Sequence, residues 1–124
     1  MRQRISSGAP MEPTIGYSRA IRVGNQVWVS ATAAIWPDGH VDPDAAVQAD
    51  RCLEIIEAAL SEAGATLRDV VRTRIYLVDR ADVDAVGAAH GRAFGDVRPA
   101  TGVIIVSGFI DPRWRVEIEA DAIS

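Results

Sequence analysis

Two histidines, one cysteine and two alternating runs of charge bound the chemistry this chain can perform. His90 titrates near neutrality and so can act as a general base. It also falls on the apolar stripe of a helix, and there it reads first as a packed, satisfied core histidine. Cys52 sits beside Leu53 and reads as a small core residue, because a nucleophilic thiol needs a partner base that the sequence does not supply. Glu117, Glu119 and Asp121 alternate along one segment, and Arg72 and Arg74 along another. Like charges two residues apart on one strand repel. If the two segments are neighbours, the arginines lie among the acids and neutralise them. All 13 basic residues are arginine, which excludes a Schiff-base lysine and a lysine general base. With one cysteine, His40 and His90, no metal-ligand spacing is present, and no metal is expected.

The elements that position these groups follow from composition and pattern. At 124 residues the chain is one domain, 1–124, long enough to bury a core without staples. Seventeen acids against 13 bases leave a net charge of −4. Sequence-independent nucleic-acid binding needs a basic stripe, so no nucleic-acid partner is expected. No apolar run is long enough to cross a bilayer. The segment Met1–Ser6 lacks the apolar stretch of a signal peptide, and a reduced cytoplasmic location is expected.

Residues 6–16 read as an irregular lead-in rich in Gly, Pro and Ser. Gly24-Asn25 between Ala20–Val23 and Val27–Ser30 is a hairpin signal, with Ala31–Ile35 as an extension of the second strand. Trp36–Gly39 is a turn. Asp42-Pro43-Asp44 reads as a capped helix start with Asp42 as the cap. Ala46, Ala49, Leu53, Ile56, Leu60 and Ala63 then recur at spacings of three and four, up to a Gly64 cap. Val70–Asp79 is a strand, Asp82 caps a helix through Phe94, Gly102–Phe109 is a strand, and Trp114–Ile123 alternates apolar and charged residues. The order ββ-α-β-α-ββ predicts an α+β fold, a mixed β-sheet with two helices on one face. The opposite face carries the charges and is either solvated or covered by further subunits; we read it as covered.

Several segments, in this order, carry a resemblance: Gly16–Ala20, Val23–Asn25 with Val27–Ser30, Ala63–Ala65, Asp69–Thr73, Phe94–Ala100 and Val116–Ala120. Over nearly its full length the chain resembles the RidA family, also called YjgF or L-PSP-like. The resemblance implies a chorismate-mutase-like fold, a homotrimer, and clefts between subunits. Members with the full motif hydrolyse enamine and imine intermediates to a keto acid and ammonia, without metal or organic cofactor. On matching positions, Glu117 is the water-directing carboxylate, with pairing to Arg72 or Arg74 as its structural alternative. Tyr17 lines the cleft and Ser30 faces the ligand. The departures are concentrated. Thr101 stands where the family has an arginine that grips the substrate carboxylate. Val103 replaces a cysteine, Ala31 a glycine and Gly87 an asparagine, while His90 takes the place of an aromatic. Arg74 or Arg98 is the available stand-in for the missing cation. Trp36 and Trp114 read as packing or as a cleft wall.

The resemblance implies a divergent enamine/imine hydrolase, deaminase-like, acting on a small molecule other than the small imino acids. A second reading is a trimeric small-molecule binding or regulatory protein without catalysis. A third, endoribonuclease or translation inhibitor, finds no support in the charge or the histidines.

Overall fold

The computed structural model describes residues 1–124 and opens with a strand inside a segment that the sequence pattern leaves unassigned. β1 (Arg2–Ile5) pairs antiparallel with β2 (Ala20–Val23). Its polar sequence and burial of Ile5 alone explain why no periodicity announces it. Within the lead-in, Glu12–Gly16 form a wide helical turn. β3 (Gln26–Ala33) follows the hairpin. Only Gly24 uses positive φ there, at +60°, which is the type II′ pattern rather than one with both central residues left-handed.

α1 (Ala45–Glu62) is capped by Asp44, not Asp42. The Asp44 carboxylate accepts from the backbone N–H of Ala46 and Val47, while Asp42 accepts from the N–H of Asp44 one step earlier. β4 (Val70–Leu77) ends two residues before the expected Asp79, and α2 (Val83–Phe94) ends at Gly95, with φ +55°. β5 is Ala100–Ile105 rather than Gly102–Phe109, because its pairing starts with Ala100 on Arg72 and stops with Ile105 on Leu77. β6 (Val116–Ile123) keeps the expected alternation, with Trp114 half-buried just before it.

The sheet order is β1-β2-β3-β6-β4-β5, with β4 and β5 parallel and every other pair antiparallel. The fold is the expected α+β mixed sheet, with α1 packed on β3 and β6 and α2 packed on α1. Val27, Val29, Ile75, Leu77, Val116, Ile118 and Ala120 face the helices and are buried with Ala49, Leu53, Ile56 and Leu60. Each large member of that set contributes about 1.5–3 kcal/mol by leaving water. Gln48 interrupts the apolar stripe and is fully buried, yet its amide is satisfied. It donates to the carbonyls of Asp42 and Arg113 and accepts from the N–H of Arg115, so it ties the start of α1 to the entry of β6.

Asp82 makes no capping bond to α2. Its carboxylate is held instead by Arg115, through Nε at 3.1 Å and Nη2 at 2.9 Å, while Nη1 donates to the Pro43 carbonyl. A paired fork of this kind is stronger than a surface ion pair. Asp82→Ala is expected to cost about 1–2 kcal/mol, read as a lower urea midpoint at unchanged slope.

On the open face, β6 lies between β3 and β4, so the acids and arginines meet as neighbours. The opposing pairs are Arg72 with Asp121, Arg74 with Glu119 and Tyr76 with Glu117. β5, at the sheet edge, is exposed along its whole length and carries no charge.

Candidate functional site

The two residues Ser30 and Ala31 form an irregularity in β3, between the Val29–Ala120 and Thr32–Ile118 pairs. A bulge of this kind re-aims backbone groups out of the ladder. The Thr32 hydroxyl donates to the Ser30 carbonyl at 2.7 Å, and the Ser30 hydroxyl donates to the Ser18 carbonyl at 2.7 Å. The Ala31 carbonyl is taken by Arg19 Nη2 at 2.8 Å. Arg19 is only 7% exposed, and its Nε has no partner. Burial pulls its guanidinium below the ordinary arginine range, opposed by the charges of Tyr17, Glu12 and Glu117. Tyr17, half-buried, lines an open groove of about 880 Å³ with Ser18, Ser30, Arg2 and Arg4.

Glu117, on β6, does not line that groove but lies within charge range of Arg19. Of the three alternating acids it alone has no partner. Glu119 accepts from the Tyr76 hydroxyl at 2.6 Å and from Arg74 at 3.4 Å, and Asp121 lies 3.5 Å from Arg74. The expected alternative for Glu117, a pair with Arg72 or Arg74, is therefore not formed; the register gives those partners to its neighbours. Burial pushes the Glu117 carboxyl above the ordinary carboxylate range, Arg19 opposes the shift, and Glu119 reinforces it. A half-buried, unpaired carboxylate with a raised pKa beside a fixed cation is suited to accept a proton from water and return it.

The other sequence-derived positions gather elsewhere. Thr101 lies on β5 opposite Thr73 of β4, and the two hydroxyls are 2.8 Å apart. The Thr73 hydroxyl is also 2.8 Å from His90 Nε2, and the Thr101 hydroxyl donates to the Pro99 carbonyl at 2.9 Å. Val103 is two residues along the same strand, 47% exposed, and Gly87 is an exposed position one turn before His90 on α2. A Cβ on Gly87 meets nothing within 4 Å. His90 is half-buried against Phe94, with ring centroids 4.5 Å apart, and burial lowers its pKa. It is thus a neutral, hydrogen-bonded histidine at neutral pH.

The first group centres on β2, β3 and β6, the second on β4, β5 and α2. Ser30 and Thr101 stand three strand spacings apart, about 14 Å. One chain therefore does not bring the two groups together. Arg74 belongs to neither group, since its guanidinium is engaged by Glu119 and Asp121. Arg98 is exposed, at φ +49°. Cys52 is fully buried beneath β6, and burial pushes its thiol far up, out of nucleophilic range. Trp36 stacks on His40, 4.7 Å between centroids, and Trp114 has a buried, unpartnered indole N–H. No cluster of three metal-ligating side chains is present.

Arg19 and Thr73 are the residues that sequence reasoning missed. Arg19 sits inside the Gly16–Ala20 segment, but nothing local marks it as buried. Thr73 reads as one strand residue among many until the parallel register sets it against Thr101.

A family model described as endoribonuclease L-PSP matches residues 7–124. A solved structure from Mycobacterium tuberculosis, of the YjgF/YER057c/UK114 family, is 45% identical with a TM-score of 0.93 and covers 100% of both chains. A Streptomyces coelicolor protein is 39% identical over 97% of this chain and 90% of its own. A 3-aminoacrylate deaminase of Acinetobacter baylyi is 34% identical over 95% of this chain and 94% of its own.

Proposed function

The chain belongs to the endoribonuclease L-PSP family, which includes the YjgF and Rid proteins, and from that premise we propose that it hydrolyses a small enamine or imine in clefts between the subunits of a trimer. Three copies covering one another's open sheet faces and β5 edges would give the uncharged strand a partner. The same packing would bring the Glu117 half of one subunit to the Thr101 half of the next, which the 14 Å gap within one chain otherwise prevents (about that distance by strand spacing).

Glu117 carries the reading, as the one acid of its face left without a partner, half-buried and raised in pKa. As a carboxylate it takes a proton from water while the water oxygen adds to the imine carbon. The proton passes to nitrogen to give a carbinolamine. The carboxylate then takes the carbinolamine hydroxyl proton and returns it to nitrogen as the carbon–nitrogen bond breaks, and a carbonyl compound and ammonia leave. The Tyr17 ring and the Ser30 bulge would wall the cleft, with Ala31, Gly87 and Val103 setting its shape. Arg19 pins the bulge and keeps the Glu117 pKa from climbing further.

No cation occupies the Thr101 position, so substrates anchored by a carboxylate are disfavoured. The test supplies 2-imino acids from a panel of amino acids through an amino-acid oxidase and follows keto-acid formation for wild type, Thr101→Arg and Glu117→Ala. Thr101→Arg is expected to gain turnover of carboxylate-bearing imines by about ten- to a hundredfold, and Glu117→Ala to lose it. An inert set of all three proteins removes the hydrolase reading. The uncharged second half then favours a binding module for a neutral metabolite. RNA cleavage is not proposed. The net charge is −4, His40 is bound to Asp38, and His90 is bound to Thr73.

A further inference from the structure

The hydroxyl chain on β4 and β5 sets what the Thr101 position offers a ligand, and here the inference rests on the cleft reading above. Three contacts lie in series: His90 Nε2 to Thr73 Oγ1 at 2.8 Å, Thr73 Oγ1 to Thr101 Oγ1 at 2.8 Å, and Thr101 Oγ1 to the Pro99 carbonyl at 2.9 Å. Each hydroxyl has one proton, and a carbonyl only accepts. If Thr101 donates to Pro99, Thr73 must donate to Thr101, and His90 must donate Nε2–H to Thr73. Three protons then serve three contacts. In the reverse polarity Thr101 donates to Thr73, Thr73 donates to a bare Nε2, and two oxygens without a proton between them face each other at Pro99. Thr73 is fully buried and Thr101 exposed, so water reaches only the outer end of the series, and the first polarity alone satisfies all three contacts without it. His90 is held neutral by burial and so keeps one ring proton, which this chain assigns to Nε2.

We propose that Thr101 presents a lone pair to the cleft, not a proton, so that this half-site selects a ligand with an N–H or O–H donor at that point and rejects a carboxylate. The hydroxyl proton is committed to Pro99, and Thr101 itself is exposed on the helix side of the sheet's edge strand. The position thus offers a ligand an acceptor rather than a donor. The ligand class is a neutral carbonyl or imine compound bearing an amide, amine or hydroxyl where a simple imino acid bears its carboxylate.

A matched pair of probes tests this: 2-oxobutanamide and 2-oxobutyrate, with Kd measured by NMR titration on wild type and Thr101→Val. Nitrogen-detected NMR of His90 in the same samples reads its tautomer. The amide is expected to bind wild type about tenfold more tightly than the acid, Thr101→Val is expected to erase that preference, and His90 is expected to carry Nε2–H. Equal or tighter binding of the acid overturns the proposal, as does an Nδ1–H tautomer, whatever the cleft binds. If His90 carries Nε2–H but neither probe shifts resonances of Tyr17 or the Ser30 bulge, the cleft reading itself fails, and the ligand assignment with it.

Discussion

Glu117→Gln is expected to lower kcat for imine hydrolysis by about 10²–10³-fold and, at the same time, to make the protein more stable at neutral pH. The first effect is the usual size for loss of a positioned general acid–base group. Glutamine keeps the shape and can hold a water, but it cannot take the proton from it. The second follows from the direction of the pKa shift. Burial raises the Glu117 carboxyl in the folded protein above its unfolded value, with the Glu119 charge adding to the rise and Arg19 opposing it. The folded state therefore binds this proton more tightly, and the stability so gained is present below the unfolded pKa and lost as pH rises through the folded one. Above that range the ionised group is a burden that the amide removes. Thermal melts of wild type and Glu117→Gln should diverge above the carboxylate range and converge at low pH. A variant equally active, or less stable at neutral pH, contradicts the role assigned to this residue.

The second large effect concerns assembly. Ile104→Lys is expected to yield a folded monomer without measurable turnover, a loss of more than about 100-fold. Val103, Ile104 and Ile105 are each more than two-fifths exposed in the isolated chain, at 47%, 42% and 44%, on a strand with no charged residue. A natural sheet edge left open in solution usually carries charge or proline to block pairing, and this one carries neither. Its composition fits a surface buried against another copy. A lysine ammonium placed in that contact costs several kcal/mol unless it finds a partner. Light scattering gives the mass, and the oxidase-coupled assay gives the activity. An assembled, active Ile104→Lys protein would place the interface elsewhere, and a monomeric, active wild type would remove the composite site altogether.

The architecture was legible because the patterns are strong where packing is strong. The α1 stripe, the alternation of β6 and the Gly24 turn each encode their own geometry, and the acids and arginines do become neighbours once β6 is set between β3 and β4. What the sequence hid depends on contacts distant along the chain. β1 has a single buried residue and acquires its form only by pairing with β2. Asp82 looks like a cap, but Arg115, 33 positions on, offers two charged donors where a cap offers weaker backbone ones. Gln48 looks out of place on an apolar stripe until three backbone groups from two other segments are seen to need it. Glu117, Tyr17 and Ser30 are candidates by resemblance alone; Tyr17 and Ser30 line one groove, and Glu117 lies within charge range of Arg19. The same resemblance picked out Thr101 and Val103 as departures, yet the link from Thr101 through Thr73 to His90 requires the parallel register of β4 and β5.

Mixed assembly tests the shared cleft most directly. Glu117→Gln disables the first half-site. Gly87→Trp is expected to fill the second from an open position on α2, where an added Cβ meets no neighbour within 4 Å. Each variant alone should be inert towards the imine that wild type turns over fastest. Co-expressed in equal amounts, they should recover about one quarter of wild-type turnover, because random association joins an intact first half to an intact second half at about one interface in four. Turnover no greater than that of the two inert parents would mean that both halves of the site come from the same chain.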